Sequence, residues 1–407
     1  MPQYSNRDKQ ERGQNAKNSL ESILVECQKY SYITNVEKEF RCGYKEFDQS
    51  QFYSNFLISF KDNSKWILYT TTSCRTDRIK GNQWDSYNIK KIDSSVKKSI
   101  LIYPDSVSYD EKQSFIAYNL KIQNKVPYNE LAEEDSLKLF FSAIDYVISQ
   151  SEFFELVEYH ANQGLSCGQK KDKQGNVFES YIAGILSNTD NFYKWKNDNK
   201  NLLGMNFPFF EKIVSCLNID KLSATSIQAT ADKKTIGNLF TSGKPKTDII
   251  VKVSGTFPEV KCYTISCKRS AKKSISAHQY SADAFADVLD EHNSKLRKLL
   301  NDFQKVGNLR DFGTDKEAEL SQELKPYIHK LIKWVLGGHG GKNKNTLQIA
   351  EFILIYDEKN LYIHNIDDYI NILLKNNIKG NFGTPFQWTY ASGCKGKNIQ
   401  LKCKILK

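Results

Sequence analysis

Two apolar runs joined by a turn, TDIIVKV (247–253) and VKCYTISCK (260–268), constrain the fold of this chain most tightly. Both are rich in β-branched residues, which indicates two strands of a hairpin. Side chains alternate between the faces of a strand, so Ser266 and Lys268 share a face while Cys267 lies on the other. The hairpin predicts that Asp248, at the start of the first strand, lies beside the end of the second.

A carboxylate next to a lysine at one end of a hairpin suits the hydrolysis of a phosphodiester. That reaction needs charge neutralised on phosphorus, a nucleophilic water and support for the leaving oxygen, and Mg²⁺ held by carboxylates with a nearby lysine can supply all three. Pro245, three residues before Asp248, adds to the likeness to the PD-(D/E)xK pattern. Ser266 stands where that pattern has a second carboxylate. Because D…SxK is short and common, an ordinary hairpin remains an alternative at this point.

The net charge of +11 is concentrated in two stretches. Residues 266–276 hold four basic residues and no acidic one, and residues 371–407 hold seven lysines and no acidic one. The rest of the chain is therefore neutral overall. Such clustering favours a polyanionic partner, most often nucleic acid, over lysines that only keep a surface soluble.

Several classes of protein are disfavoured. No apolar run approaches the roughly 20 residues of a membrane span, so we expect no membrane association. The polar first 18 residues show no secretory signal. Nine cysteines without a CxxC pair and six scattered histidines do not indicate zinc, and we expect reduced thiols in a cytoplasmic protein. The loop GGHGGKNKN (337–345) lacks the first glycine and the Ser or Thr of a phosphate-binding loop.

Strand-like and helix-like segments alternate, which predicts a mixed α/β architecture of sheet flanked by helices. A polar, glycine-containing stretch after residue 160 suggests two domains, 1–155 and 156–407. Strands are predicted at 52–60, 65–72, 100–105, 115–122, 248–254, 260–267 and in a hairpin over 350–364. Helices are predicted at 18–30, 135–160, 176–186, 209–219, 277–303 and 321–336, with an irregular segment from residue 371 onward.

From about residue 160 to its end, the chain resembles the MspI family of type II restriction endonucleases. The matching blocks, in chain order, are GNVFESYI, GKPKTD, CKRSAKKSISAHQY, NIDDYI and FGTPFQWTYASGCKGKNIQLKC. The resemblance implies a restriction-endonuclease-like domain that hydrolyses double-stranded DNA with Mg²⁺ at a short site, CCGG. It also implies the bacterial cytoplasm and a companion DNA methyltransferase that protects the host.

The resemblance implies roles for four residues of the catalytic centre. Asp248 matches the metal-binding aspartate of the family, and Lys268 matches the lysine that orients or deprotonates the attacking water. Glu179, in VFESY, matches a helix glutamate near the metal. Ser266 takes the place of an asparagine in the family, so a neutral group is already tolerated there. We expect one Mg²⁺ held by Asp248 and, through water, by Glu179.

The resemblance also implies which residues meet DNA. Base contacts are expected at Ser276, Thr389, Ser392, Gln400 and Lys402. Phosphate contacts are expected at Lys272, Lys273, Lys395 and Lys397. Side chains at base edges read sequence, whereas lysines on phosphates set the register of the protein on the duplex.

The first 155 residues lie outside the resemblance, but residues 54–75 echo residues 247–269 as strand, turn and strand. In that comparison Asn55 stands for Asp248, Thr72 for Ser266 and Cys74 for Lys268. One hypothesis is a nuclease-like fold that has lost catalysis and contacts DNA or a partner. The alternative is an unrelated α/β domain in which Asp77 pairs with nearby arginines. Candidate phosphate contacts of this half are Arg75, Arg78 and Lys80.

Two other functions remain open from the sequence. The chain could be a DNA-binding regulatory protein in which Ser266 marks lost catalysis, although intact Asp248, Lys268 and Glu179 argue against this. It could also be a nuclease that senses methylation through its N-terminal half.

Overall fold

The structure, a computed structural model, describes residues 5–44, 50–74, 76–124, 143–240, 244–255, 260–375, 380–391 and 393–406. The chain divides into two compact units. Unit 1 comprises Met1–Val177 and Gly184–Lys212, and unit 2 comprises Phe178–Ala183 and Ile213–Lys407. The assignment of domains to residues 1–155 and 156–407 stays a prediction.

Unit 1 contains a five-stranded sheet of order β1-β2-β3-β4-β5. Its first three strands are antiparallel neighbours, and β3, β4 and β5 are parallel. The strands are β1 (Asn35–Cys42), β2 (Phe52–Ser59), β3 (Lys65–Thr70), β4 (Val96–Tyr103) and β5 (Tyr146–Ser149). The helices are α1 (Asn6–Lys29), α2 (Thr76–Ile92), α3 (Tyr109–Gln123), α4 (Gln150–Ala161), α5 (Cys167–Ser187), which contributes to both units, and α6 (Thr189–Asn197).

The strand predicted at 115–122 is wrong, because this segment lies within α3. A capping box of Ser108 and Glu111 satisfies free backbone N–H groups at the start of the helix. The aromatic residues that suggested a strand pack into the core instead. Phe115 stacks on Tyr103 of β4 with their ring centroids 4.4 Å apart. Tertiary packing and the cap therefore override strand propensity here.

The helix predicted at 135–160 is also partly wrong. Residues 135–142 lie outside the described residues, and residues 146–149 form β5. The helix α4 begins after Ser149, whose hydroxyl accepts from the backbone of Glu152 while the Glu152 carboxylate accepts from the backbone of Ser149. Capping chemistry thus separates a short strand from a helix that share one apolar pattern.

Unit 2 contains a second five-stranded sheet, of order β11-β10-β8-β7-β6. Its strands are β6 (Ala224–Thr230), β7 (Ile249–Gly255), β8 (Val260–Arg269), β10 (Phe352–Tyr356) and β11 (Leu361–Asn365). The two predicted hairpins, β7–β8 and β10–β11, are confirmed. The central strand β8 is antiparallel to β7 and parallel to β10.

A separate three-stranded sheet of order β12-β13-β9 also belongs to unit 2. Its strands are β9 (Ser274–Tyr280), β12 (Gln387–Thr389) and β13 (Ile399–Lys404). The predicted helix over 277–303 therefore begins too early, and the C-terminal segment is not irregular throughout. These strands are short, and β9 pairs with β13 across more than a hundred positions of sequence, so periodicity alone could not reveal them.

Helices of unit 2 cover the inner face of this small sheet. Phe285 of α9 packs against Trp388 of β12, and Leu401 of β13 is buried in the same core. The helices are α7 (Phe207–Cys216), which begins in unit 1, α8 (Lys233–Ile236), α9 (Ala282–Asp290), α10 (Ser294–Val306), α11 (Leu309–Phe312), α12 (Thr314–Leu324), α13 (Ile328–Gly337) and α14 (Ile366–Lys375). The mixed α/β class predicted from the sequence is confirmed. Across the described ranges, none of the helices has the length and apolar character needed to cross a membrane.

Candidate active site and nucleic-acid interface

The side chain of Asp248 receives three hydrogen bonds from the end of β8. The Ser266 hydroxyl donates to Asp248 Oδ2 over 3.1 Å, the Cys267 backbone N–H over 2.7 Å and Lys268 Nζ over 3.1 Å. Asp248 and Lys268 keep about a fifth of their side-chain surface exposed, at 21% and 22%. The hairpin predicted from the sequence therefore brings together a carboxylate, a hydroxyl and an ammonium group.

Strand register creates this arrangement. Ile249 lies opposite Ile265, and the Asp248 N–H donates to the Ile265 carbonyl over 2.9 Å, so Asp248 sits one residue before the paired region. Alternation along β8 then directs Ser266 and Lys268 toward the aspartate. A slip of one residue would send both side chains to the opposite face.

Ser266 is buried, with 1% of its surface exposed, and its hydroxyl donates to the aspartate. All three donors reach the same oxygen, Oδ2, and no hydrogen bond within the described residues uses Asp248 Oδ1. The contacts fix the orientation of the carboxylate while one of its oxygens stays available for a ligand.

Glu179 lies on α5 close enough to Asp248 for the two charges to interact. The preceding residue, Phe178, stacks on Tyr356 of β10 with centroids 5.5 Å apart, which anchors this part of the helix to the sheet. Burial and the neighbouring Asp248 carboxylate raise the pKa of Glu179 from 4.5 to about 7. A buried carboxyl group whose ionisation is opposed by a neighbouring carboxylate is a feature of functional sites and of sites completed by a cation.

Burial alone would lower the pKa of Lys268, but the Asp248 carboxylate outweighs it and raises this pKa above the usual value. Lys268 Nζ also donates to the Cys267 carbonyl over 2.8 Å. The ammonium group is thus fixed at the site as a cation.

The oxygen donors at this site suit a hard cation such as Mg²⁺. Asp248 Oδ1 and the Glu179 carboxylate are oxygen ligands, and Mg²⁺ commonly binds through one or two carboxylates with water and substrate phosphate completing its shell. Within the described part of the chain, no group of three or more His, Cys, Asp and Glu side chains is arranged to hold a metal. The donor set therefore fits a cation shared with substrate better than an all-protein cage.

A cleft of about 370 Å³ borders Asp248 and Lys268, and its lining includes Lys246 and His278, which have no role in the sequence-based predictions. Lys246 Nζ donates to the Ala277 carbonyl over 2.5 Å. Burial, together with the nearby Lys268 ammonium, holds the pKa of Lys246 well below its usual value. Its position two residues before Asp248 in the block GKPKTD was the available signal.

His278, on β9, is the second such residue of this cleft. Its ring lies 4.1 Å from the Trp334 ring and 4.4 Å from the Tyr280 ring. Burial lowers the pKa of His278 well below the usual value, with the Lys246 and Lys268 charges acting in the same direction. Among the described residues neither ring nitrogen has a hydrogen-bond partner. No sequence pattern signals this packing.

Four of the residues expected at base edges lie on the three-stranded sheet. Lys402 is paired with Ser276 of β9 and with Gln387 of β12, and Gln400 is paired with Thr389. Their neighbours Ile275, Trp388 and Leu401 are buried, so alternation directs the four toward the outer face, which we call the reading face. The four are Ser276, Thr389, Gln400 and Lys402, and Gln400 Nε2 donates to Ser276 Oγ over 2.9 Å.

Exposed lysine pairs lie at opposite ends of this sheet. Lys272 and Lys273 precede β9, whereas Lys395 and Lys397 precede β13, and β9 and β13 are antiparallel. Seven residues of strand span about 20 Å. The basic side chains therefore flank the reading face along the strand direction.

The remaining candidates are only partly described. Ser392 and Arg75 lie outside the described residues. The side chains of Asp77 and Arg78 are not described either, whereas Lys80 is half-exposed on α2.

Comparisons with known proteins find several similar chains. The sequence model of the family "Restriction endonuclease MspI" matches residues 154–403. The type II restriction enzyme BsuFI of Bacillus subtilis is 27% identical over 409 residues, which cover 98% of each protein. The type II restriction enzyme MspI of a Moraxella species is 24% identical over 243 residues, covering 58% of this chain and 91% of that protein.

A solved structure of restriction endonuclease MspI in complex with its cognate DNA is similar to this chain. The TM-score is 0.51 at 23% sequence identity, and the match covers 61% of this chain and 97% of the other. The two share their fold at this level of similarity.

Glu179 makes the stability of the metal-free protein depend on pH. Its pKa is about 7 in the folded chain and 4.5 ordinarily, so the folded chain binds this proton more tightly than the unfolded chain. The contribution of Glu179 to the free energy of unfolding is therefore highest below pH 4.5 and falls as the pH rises to 7. The difference between the two pKa values corresponds to a loss of about 3 kcal/mol in the free energy of unfolding. Urea unfolding at several pH values measures this loss.

The control is Glu179→Gln, which cannot ionise. The difference between wild type and this variant should grow in favour of the variant between pH 4.5 and 7. A difference that stays constant over this range would contradict the assignment.

Proposed function

The chain belongs to the MspI family of type II restriction endonucleases, which are site-specific deoxyribonucleases, and we propose that it cleaves CCGG sites in double-stranded DNA with Mg²⁺ at the Asp248–Lys268 pair. The observation that carries the proposal is the carboxylate of Asp248, held by three donors with Oδ1 uncommitted among the described residues. A hydrolytically inactive DNA-binding protein would not need this arrangement.

Asp248 and Glu179 would hold the cation, Glu179 through a water molecule. When bound, Mg²⁺ supplies Lewis-acid stabilisation of the phosphate and lowers the pKa of a bound water. Lys268, fixed by Asp248 and by the Cys267 carbonyl, directs its remaining donor toward the attacking water or a phosphate oxygen. A preorganised ammonium group stabilises charge that develops in the transition state.

Ser266 acts in this proposal as a positioning residue. Its hydroxyl donates to Asp248 Oδ2, on the side occupied by the Cys267 N–H and Lys268. The cation is proposed at the other carboxylate oxygen, Oδ1, whereas the buried Ser266 hydroxyl contacts Oδ2. We therefore propose that Ser266 orients Asp248 and is not a metal ligand.

The reading face supplies the side-chain types that sequence recognition needs. Lysine donates to the O6 and N7 acceptors of guanine, and glutamine and hydroxyl side chains both donate and accept. Gln400 and Ser276 are bonded to each other, so each is oriented before it meets a base. Lys402 lies next to them in register and is the proposed guanine contact. Resemblance to the family supports CCGG as the site.

Restriction also requires that host DNA is protected. We propose a companion DNA methyltransferase for the same site and a location in the bacterial cytoplasm, where both would meet DNA.

Removing the metal-binding carboxylate should abolish cleavage without unfolding the chain. In Asp248→Asn, an amide oxygen can still accept from the Cys267 N–H, but the charge that holds Mg²⁺ is lost. We expect the single-turnover cleavage rate on a CCGG duplex to fall about 10³-fold or more, and a similar loss in Lys268→Met.

Lys359→Met is the matched control, because Lys359 is exposed in the β10–β11 turn, away from this pair in sequence. It should cut at the wild-type rate. Full Mg²⁺-dependent cleavage by Asp248→Asn would refute the assignment.

Lys402→Met should reduce discrimination at a guanine of the site. A lost contact to a base edge costs about 1–3 kcal/mol, which is roughly a 5- to 150-fold loss in kcat/KM on CCGG. On duplexes with a single base change in the site, kcat/KM should fall much less. The ratio of kcat/KM on CCGG to kcat/KM on these duplexes therefore falls. Equal losses on every duplex would indicate a phosphate contact instead.

The lysine pairs at the sheet ends should control the salt dependence of binding. About six phosphate contacts give log affinity a slope of about −5 against log salt. Replacing Lys272 and Lys273 by methionine should reduce this slope by about 2, as should the same change at Lys395 and Lys397. Fluorescence anisotropy measures the affinity for a labelled duplex at several salt concentrations, with Ca²⁺ in place of Mg²⁺ so that the duplex is bound and not cut. An unchanged slope would exclude the phosphate contacts.

A further inference from the structure

The central sheets of the two units share their strand pattern. In unit 1 the order β1-β2-β3-β4 combines two antiparallel pairings with one parallel pairing, and in unit 2 the order β6-β7-β8-β10 does the same. Helices precede each set, α1 in unit 1 and α5 to α7 before β6 of unit 2. Helical segments connect the third and fourth strands of each set, and the unit 2 connection also contains β9. Only the fifth strands differ, because β5 is parallel and β11 antiparallel to its neighbour.

The strand register identifies equivalent positions. Asn55 precedes the Phe56–Leu68 pair, as Asp248 precedes the Ile249–Ile265 pair. Asn55 Oδ1 accepts from the Thr70 backbone N–H over 2.9 Å, and Asp248 Oδ2 accepts from the Cys267 N–H over 2.7 Å. In both hairpins the donor lies two residues after the paired residue. One side-chain contact is thus repeated in the two units.

This register corrects the alignment expected from the sequence. Tyr69 is equivalent to Ser266 and Thr71 to Lys268, three residues earlier than the expected Thr72 and Cys74. The comparison of sequences aligned the Tyr-Thr and Cys residues that both segments contain. The two hairpins have loops of unequal length, so this alignment is displaced from the strand register. Asn55 as the counterpart of Asp248 agrees with the register.

Beside Asn55, a cluster of polar side chains is held together by hydrogen bonds among its members. Lys17 Nζ of α1 donates to Glu39 Oε1 over 2.8 Å and to the Tyr53 hydroxyl over 3.4 Å. The Tyr53 hydroxyl donates to Glu39 Oε2 over 2.7 Å and accepts from Asn55 Nδ2 over 2.8 Å. We call these four residues the lysine cluster.

Glu39 adopts a strained backbone within the cluster. Its φ is +52°, a region that is uncommon for residues other than glycine, and it sits between the pairs Lys38–Phe56 and Phe40–Ser54, opposite Asn55. Such strain persists where surrounding contacts compensate it. The hydrogen bonds from Lys17 and Tyr53 supply that compensation.

We propose that unit 1 is a second, hydrolytically silent copy of the nuclease core, in which the Lys17 ammonium rather than a divalent cation neutralises the acidic side chain. The aspartate has become the amide Asn55, the lysine has become Thr71, and Glu39 already has its counter-ion. The same fold therefore lacks both the metal-binding charge and the catalytic ammonium, and a fold without its site has no activity. Each chain then makes one cut per docking event, at the unit 2 centre.

The proposal rests on the proposed function for what unit 2 binds, and full-length variants test the two separately. Mn²⁺ serves as the probe in isothermal titration calorimetry, and supercoiled plasmid reports nicking. We expect wild type and Glu39→Gln to bind one Mn²⁺ each and to nick at rates within twofold of each other. Asp248→Asn should bind none and nick about 10³-fold more slowly or worse.

The opposite pattern would overturn the silent copy. Asp248→Asn would then keep an Mn²⁺ and divalent-dependent nicking, and both would disappear in the double variant with Glu39→Gln. Because Glu39→Gln keeps the size of the side chain, a change in its melting temperature reports any effect on folding independently. Failure of the proposed function looks different: wild type itself would bind no Mn²⁺, which removes the premise of this proposal as well.

Discussion

The hydrogen bonds that fix the Asp248 carboxylate are the interaction on which the rest of the site depends. They require that β7 and β8 pair in one register, that Ser266 and Lys268 share a face, and that the backbone N–H of Cys267 points at the same oxygen. A central, buried β8, paired on both sides, makes that register rigid. Burial and the charge of Asp248 together raise the pKa of Glu179, and the same charge outweighs the effect of burial on the pKa of Lys268.

Chain connectivity links chemistry to recognition. Only eight positions separate Lys268, at the proposed catalytic end of β8, from Ser276 on the reading face, and the exposed Lys272 and Lys273 lie between them. The same cleft is bordered by Asp248, Lys268 and Ser276. In the proposed function, this short segment therefore couples the position of the cut to the bases that are recognised. A displacement of β9 would move the recognition residue Ser276 and the cleft next to Asp248 and Lys268 together.

Local patterns predicted the catalytic hairpin, because alternation and a single turn decide which side chains meet. They failed where distant pairing decides. The sequence predicts that a helix begins at residue 277, although residues 274–280 form β9 by pairing with β13. Base contacts by both Ser276 and Gln400, which bond to each other, are expected only from the family resemblance. The similarity between residues 54–75 and 247–269 can be seen in the sequence. Only the strand register, however, aligns Thr71 rather than Cys74 with Lys268.

The central claim is that the chain contains two nuclease folds and one functional centre. Anomalous diffraction from crystals of the full-length chain bound to DNA and Mn²⁺ tests it most directly, because each bound ion appears as a separate peak. The account predicts one peak per chain, next to the Asp248 carboxylate, and none near Asn55. A peak within the lysine cluster, or no peak at Asp248, would contradict it.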